Sequence, residues 1–270
     1  MIVKYPKIPH LPWSLADNSD TKIARTENFA QMTKVVVTEK LDGECTTLYT
    51  DIVHARSCNG DVDSWMKAYH AKFKHLIPYG YRIVGENVYA KHSIFYDSLD
   101  TYFYVFAVFK DSLCLSWEDT VNFCKQLQLH MVPVLYMGNW EISNVMKIHD
   151  QCFTGKSRFG DEQEGYVVRN FDGWFMTEHH QNIAKFVRPN HVKGTHWKYR
   201  EMIPNELNGN KKKLGQWAVG KQERLLLPPP NDDHHRVLDI HHNSRQKIWM
   251  DGLFHVKQIT CAIDSERFMG

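Results

Sequence analysis

The sequence predicts an α+β protein, mostly β with helices interspersed, and three observations carry that expectation. Runs rich in β-branched and aromatic residues recur at 34–39, 45–50, 82–89, 102–109, 132–136, 164–169, 174–177 and 183–188, and such runs read as strands. Between them stand only a few stretches with apolar residues at helical spacing. Beyond Leu207 the pattern stops: Asn208-Gly209-Asn210 reads as a turn or linker, and residues 234–270 have mixed polarity and no clear period. The expected organisation is one domain over 1–207 and an extension of uncertain order over 208–270.

Taken in order, Met1 to Thr33 is irregular and Pro-rich, with room for a short helix near Asn28 to Met32. The strands at 34–39 and 45–50 enclose Lys40-Leu41-Asp42-Gly43, which on its own reads as a hairpin turn with Asp-Gly at the corner. Asp63 or Ser64 can cap a helix that places Trp65, Tyr69, Phe73 and Leu76 on one core-facing stripe. Ser116 to Asp119 resembles a capping box, opening a helix with Trp117, Val121, Cys124 and Leu127 on one side. Ile142, Val145 and Met146 indicate another short helix. In the extension, Lys211-Lys212-Lys213 is a charge run of the kind that is usually just solvated, and Pro228-Pro229-Pro230 marks a further break. No internal repeat is visible.

Composition narrows the class. A chain of 270 residues with 43% hydrophobic and 13% aromatic content can bury a substantial core, as a soluble globular protein does. The formal net charge is only +2. Any nucleic-acid contact must therefore come from a local patch rather than from bulk charge. The six cysteines show no C-x-x-C spacing and read as reduced thiols of a cytoplasmic, intracellular chain, without disulfides or zinc. Of the sixteen histidines, six form the adjacent pairs 179–180, 234–235 and 241–242. Adjacent side chains diverge on most backbones, so these read as surface residues rather than metal ligands. No signal peptide and no run of about 18 apolar residues appears, which points away from secretion and from a membrane.

Polar residues set into otherwise apolar strands are the candidate site. Lys40 follows one strand, and Arg56 lies just past the next. Glu86 interrupts Arg82 to Tyr89, Phe106 lies in the aromatic run Tyr102 to Phe109, Glu164 opens a strand, and Lys185 and Arg188 sit in or beside the last. Each has a plain alternative: a strand-end charge, a core aromatic or a solvated edge. In this order, however, the segments resemble motifs I, Ia, III, IIIa, IV and V of the covalent nucleotidyl transferases, the superfamily of polynucleotide ligases and capping enzymes. The opening Tyr5-Pro6-Lys7-Ile8-Pro9-His10-Leu11-Pro12, the block Gly85 to Ile94 and Val187-Arg188-Pro189-Asn190-His191-Val192 are similar to the ATP-dependent RNA ligase family in particular. The resemblance runs from about Tyr5 to Leu207.

The resemblance implies an adenylyltransferase domain of antiparallel sheets (an ATP-grasp-like ligase fold) and three phosphoryl transfers. Lys40 would attack the α-phosphate of ATP and form lysyl-AMP; AMP would pass to an RNA 5′-phosphate; a 3′-hydroxyl would then displace AMP. The partners would be RNA ends or a nicked duplex. Glu39, Asp42, Gly43, Arg56, Glu86, Phe106, Glu164, Lys185 and Arg188 would bind ATP, with Glu86 on the ribose and Phe106 stacked on adenine. Glu164 and Asp42 would serve Mg²⁺ (or Mn²⁺), directly or through water, because hard cations take oxygen ligands. Lys91, His92 and Lys193 are weaker candidates for RNA contact, with the lysine run 211–213 weaker still. A neutral amine is needed at Lys40, and Lys185, Arg188 and Arg56 are the neighbours expected to lower its pKa. One departure stands out. Many relatives carry Lys-x-Lys in the last motif, whereas here Lys185 is followed two residues later by Val187 on the same strand face.

Two other readings stay open. A DNA ligase or GTP-using capping enzyme usually appends a full OB domain with its own phosphate-orienting motif, which is not recognisable in the last ~80 residues. A non-catalytic RNA-binding module would not need Lys40, Glu86, Glu164 and Lys185 together.

Overall fold

Three successive valines, Val35 to Val37, are β-branched, stiff at χ1 and suited to extended backbone, and all three are fully buried. In the computed structural model, which describes residues 2–14, 22–58, 61–189 and 202–209, they open the central strand of one sheet. The chain divides into two units, Met1–Gly215 and Gln216–Gly270, and every described residue belongs to the first. Lys193 and the lysine run at 211–213 lie outside the described residues.

The helices and strands are α1 (Glu27–Ala30), β1 (Val35–Lys40), β2 (Glu44–Leu48), β3 (Val53–Ala55), α2 (Ser64–Ala71), β4 (Tyr81–Asn87), β5 (Phe103–Lys110), β6 (Leu113–Cys114), α3 (Trp117–Gln126), β7 (Val134–Gly138), α4 (Ile142–Thr154), β8 (Gly165–Asn170), β9 (Trp174–Phe175), α5 (His179–Asn182) and β10 (Ile183–Val187). The strands form two antiparallel sheets, one in the order β10-β8-β1-β7 and one in the order β3-β2-β4-β5-β6-β9. The expected α+β class with antiparallel sheets is the one observed.

Strand alternation divides the first sheet into two faces. Val35 and Val37 of β1, Tyr166 and Val168 of β8 and Ala184 and Phe186 of β10 pack with Leu11, Phe29, Val145 and Ile148 in one core cluster. The other face looks toward the second sheet. There Val167 and Ile183 meet Val84, Ala107 and Phe109, and Val36 meets Val88, Tyr104 and Trp117. Lys40, Thr38 and Val36 alternate onto this inter-sheet face, and Glu39 onto the opposite one.

Helix α2 starts where Asp63 accepts from the Met66 amide at 2.8 Å, and the other Asp63 oxygen accepts from the Asn87 side chain. These two hydrogen bonds anchor the start of the helix, and of the expected stripe Trp65 packs against a core cluster and Phe73 is buried, while Leu76 departs from it. Met66 and His70 face the core, Trp65 and Tyr69 are half-buried and stacked at 4.8 Å, and Leu76 lies beyond the helix and 48% exposed. Ser116 caps α3 as expected, accepting from the Asp119 amide at 3.0 Å, and α3 stacks Phe123 on Tyr81 of β4. Strand β7 begins only after Pro133, which has no N–H to give a ladder, although its carbonyl accepts from Glu39. The expected short helix at 142–146 extends to 13 residues, and the expected strand at 174–177 is two residues followed by a 3₁₀ turn. His179 is buried, with Nδ1 accepting from the Trp174 indole at 3.4 Å, which corrects its reading as a surface histidine; His180 is exposed.

Candidate active site

Register brings the charges together. Lys40, the last residue of β1, lies opposite Gly165 of β8, so Glu164, one residue earlier, arrives beside it. Lys40 Nζ donates to both Glu164 oxygens, at 2.7 and 2.6 Å. The side chains are 24% and 7% exposed, so this ion pair is mostly desolvated. Gly165 is required by the close approach of β10 on the other side of β8: a Cβ there would lie 2.0 Å from the Phe186 carbonyl.

The Lys40-Leu41-Asp42-Gly43 segment is held from outside. Asp42 Oδ2 accepts the amides of Ser93 and Ile94 at 2.7 and 2.9 Å, while the Asp42 amide donates to the Tyr96 hydroxyl. Lys91 and His92, both half-buried, belong to the same 88–102 loop. Asn205 in turn fastens that loop: its side chain donates to the Val88 carbonyl and accepts from the Tyr96 amide, both within 2.9 Å. Gly43 is fixed by packing, because a Cβ there would be 2.4 Å from the Asn87 carbonyl. From the second sheet, Glu86 on β4 faces Cys45 on β2 directly across the ladder.

This grouping sets unusual protonation. Burial alone would push the Lys40 amine down, but Glu164, Glu86 and Asp42 outweigh it and the net shift is upward. That corrects the expectation of a cation-lowered amine: the near neighbour is a carboxylate, and the free protein holds Lys40 as ammonium. Burial raises Glu86 to about 8; Lys40 opposes this, and the Glu164 and Asp42 charges add to it. Lys185 falls to about 8, first because it is buried and next because of the Lys40 charge. Lys185 and Lys40 share the inter-sheet face with β8 between them. Val187 occupies the position level with Lys40 across Gly165.

The remaining candidates are distributed around this centre. Arg56 Nε donates to the Tyr5 carbonyl at 3.2 Å. Arg188 pairs with Glu162 at 2.8 Å and donates to the Gln163 carbonyl at 3.1 Å, bracing the segment that delivers Glu164. Phe106 is half-buried among buried neighbours on β5, with its ring edge-on to Tyr5 at 5.3 Å. Glu39 does not join the group. It is 1% exposed on the other face of β1, accepting from Ser157 Oγ at 2.5 Å and the Arg158 amide at 3.3 Å. Tyr96, Asn205 and Arg169 also shape the site; Arg169 closes the 164–169 run that resembles a family motif, but no sequence pattern gave any of the three a role. Their partners lie 54, 117 and 63 residues away.

Among the described residues no group of three or more His, Cys, Asp or Glu side chains stands ready to hold a metal ion. The donors nonetheless suit a hydrated Mg²⁺, which needs only one or two carboxylates besides phosphate oxygens. Glu164, Asp42 and Glu86 supply those oxygens close together, each acting on the charge of Lys40. Among the same residues no helix is long and apolar enough to cross a membrane.

A lysine–carboxylate pair on the face between two antiparallel sheets is the arrangement expected of the covalent nucleotidyl transferases. Residues 33–187 match the model of the RNA ligase family, and the chain belongs to that family. No curated protein matches it. Among solved structures, an archaeal ATP-dependent RNA ligase is 15% identical at a TM-score of 0.47, covering 69% of this chain and 48% of the other. A Naegleria gruberi RNA ligase with PPi is 20% identical at 0.42, covering 68% and 59%. An Aquifex aeolicus protein provisionally described as an ATP-dependent DNA ligase is 17% identical at 0.43, covering 69% and 50%. The chain thus spans about half the length of these proteins.

Proposed function

We propose that the protein is an ATP-dependent RNA ligase that works through a covalent lysyl-AMP intermediate on Lys40. The observation that carries this reading is the Lys40–Glu164 pair at 2.6 Å, ringed by Asp42 and Glu86 on an inter-sheet face that also bears Lys185. The Lys40 ammonium first gives up a proton to solvent; the neutral amine then bonds to the α-phosphorus of ATP as the bond to pyrophosphate breaks, and the nitrogen loses its second proton to solvent. AMP passes from Lys40 to an RNA 5′-phosphate; a 3′-hydroxyl then attacks that phosphate and AMP departs. Lys185 and Arg56 offset phosphate charge as it develops. Glu86 binds the ribose and Phe106 stacks on the base. Mg²⁺ or Mn²⁺, held by Glu164 with Asp42 nearby, would offset phosphate charge and compete with Lys40 for the Glu164 carboxylate. RNA ends are bound by the loop carrying Lys91 and His92 and by Lys193. Residues 1–207 form the adenylation domain and 208–270 an appendage. The unpaired state of the described cysteines supports action in the cytoplasm.

The test is covalent labelling. The protein incubated with ATP and Mg²⁺ should gain one AMP, located on Lys40 by mass spectrometry. Lys40→Ala should gain none, and Lys40→Arg none either, since a guanidinium stays protonated. Strong labelling of Lys40→Ala would overturn the assignment, and labelling by GTP in place of ATP would favour a capping-type enzyme.

A further inference from the structure

Arg169 is a buried cation for which the described residues supply no carboxylate. It lies on β8, 4% exposed, on the inter-sheet face between Val36 of β1 and Ile183 of β10. Its Nη1 donates to the Phe106 carbonyl and its Nη2 to Thr38 Oγ1 at 3.3 Å. The guanidinium lies 5.2 Å from the Trp117 ring centroid and 6.0 Å from that of Phe106. Its Nε has no hydrogen-bond partner. A buried charge without a counter-ion is costly, and core packing alone would be met more cheaply by an apolar side chain.

The β4–β5 ladder shows what the guanidinium holds. Val84 pairs with Ala107, but Gly85 pairs with Val105. Phe106 is therefore the extra residue of a β-bulge, the device that re-aims a side chain. Its carbonyl is the one Arg169 takes. Because strand side chains alternate, a ladder that closed by one residue would turn Phe106 to the other face of the sheet.

We propose that Arg169 is a positioning residue: it pins the bulge of β5 to the opposing sheet, and so aims Phe106 at the nucleoside base. The inference rests on the reading of Phe106 as the base-stacking side chain. Arg169 itself touches no substrate; it acts on base affinity through Phe106, and leaves the phosphate-binding residues near Lys40 as they are.

The test is a double-mutant cycle in the full chain, with ATP and inorganic tripolyphosphate as the two ligands and titration calorimetry as the readout. Base stacking on an aromatic ring predicts that Phe106→Ala weakens ATP binding about tenfold and leaves tripolyphosphate unaffected. Arg169→Met should do the same, and the double variant should bind ATP no more weakly than Phe106→Ala alone. Arg169→Lys, which can still reach one oxygen, should be intermediate. In AMP labelling the KM for ATP should rise beyond any change in kcat. If Arg169→Met weakens both ligands alike, or adds its full effect to that of Phe106→Ala, Arg169 is a general strut and the proposal falls. If Phe106→Ala leaves ATP binding unchanged, the stacking role fails and the proposal with it, while labelling at Lys40 still reports on the ligase reading. Should circular dichroism show Arg169→Met unfolded, Arg169→Lys carries the same comparison.

Discussion

Replacing Glu164 by glutamine separates the electrostatic work of the site from its shape. The side chain keeps its size and loses its charge, leaving Lys40 a buried ammonium with only Glu86 and Asp42 as more distant counter-charges. At the observed 2.6 Å, Coulomb attraction at an effective dielectric of ~20 amounts to about 6 kcal/mol. Much of that is offset by the desolvation of both groups. Breaking a buried pair by removing one partner costs ~3–5 kcal/mol. Lys40 retains about a quarter of its exposure, 24%, and solvent screening there brings the expected loss to about 2 kcal/mol. Urea unfolding at pH 7.5 would measure it. Lys40→Met should lose a similar amount, and the double variant no more than the worse single, because the two residues act as a pair. A loss below ~0.5 kcal/mol for Glu164→Gln, or additive single losses, would mean that the pair behaves as a solvated surface contact, and would refute the reasoning. The same burial rules out the plain alternative that Glu164 is a strand-end charge in solvent.

Two further outcomes concern the shifted groups. The Glu86 carboxyl is raised to about 8, so the fold prefers its neutral form. The stability tied to that proton is fully present below the unfolded value and is lost as pH rises through about 8. Glu86→Gln should therefore raise the unfolding midpoint at pH 8 and have little effect near pH 4; equal effects at both would sink the placement of Glu86 beside the other carboxylates. Lys185 is lowered to about 8, and a bound polyphosphate would raise it again. Tripolyphosphate binding near pH 8.5 should take up a proton at Lys185, seen as a dependence of binding heat on buffer ionisation enthalpy, and Lys185→Gln should reduce that dependence; an unchanged dependence would refute the placement.

Much of the fold was legible in the sequence because its cause is local. The valines of β1, the aromatic run of β5 and the Asp63 and Ser116 caps act within a few residues of themselves, and the strands and helices start close to where those patterns place them. The very short β3 and β6 were not legible, because two or three residues carry no measurable period; the pairing of neighbouring strands defines them. On the α2 stripe only Leu76 was misread, because the helix ends at Ala71 and Leu76 lies beyond it.

For the candidate site, the sequence by itself determined which residue types are available and in what order: a lysine before Asp-Gly, two glutamates in apolar strands, an aromatic between them and cations at the end. What only the tertiary structure decided is how those charges face one another. The register of β1 on β8 puts Glu164 rather than a cation against Lys40 and so reverses the expected pKa shift. Alternation on β1 turns Glu39 away from Lys40. The bulge in β5 sets the direction of Phe106, and the contact that Arg169, the end of the 164–169 run, makes with it could not be read from the sequence. The physical reason is that register, burial and bulges are properties of strand pairs. The partners lie 63 to 124 residues apart along the chain, and the electrostatic energy of a group depends on what stands within a few ångströms of it rather than on what precedes it in sequence.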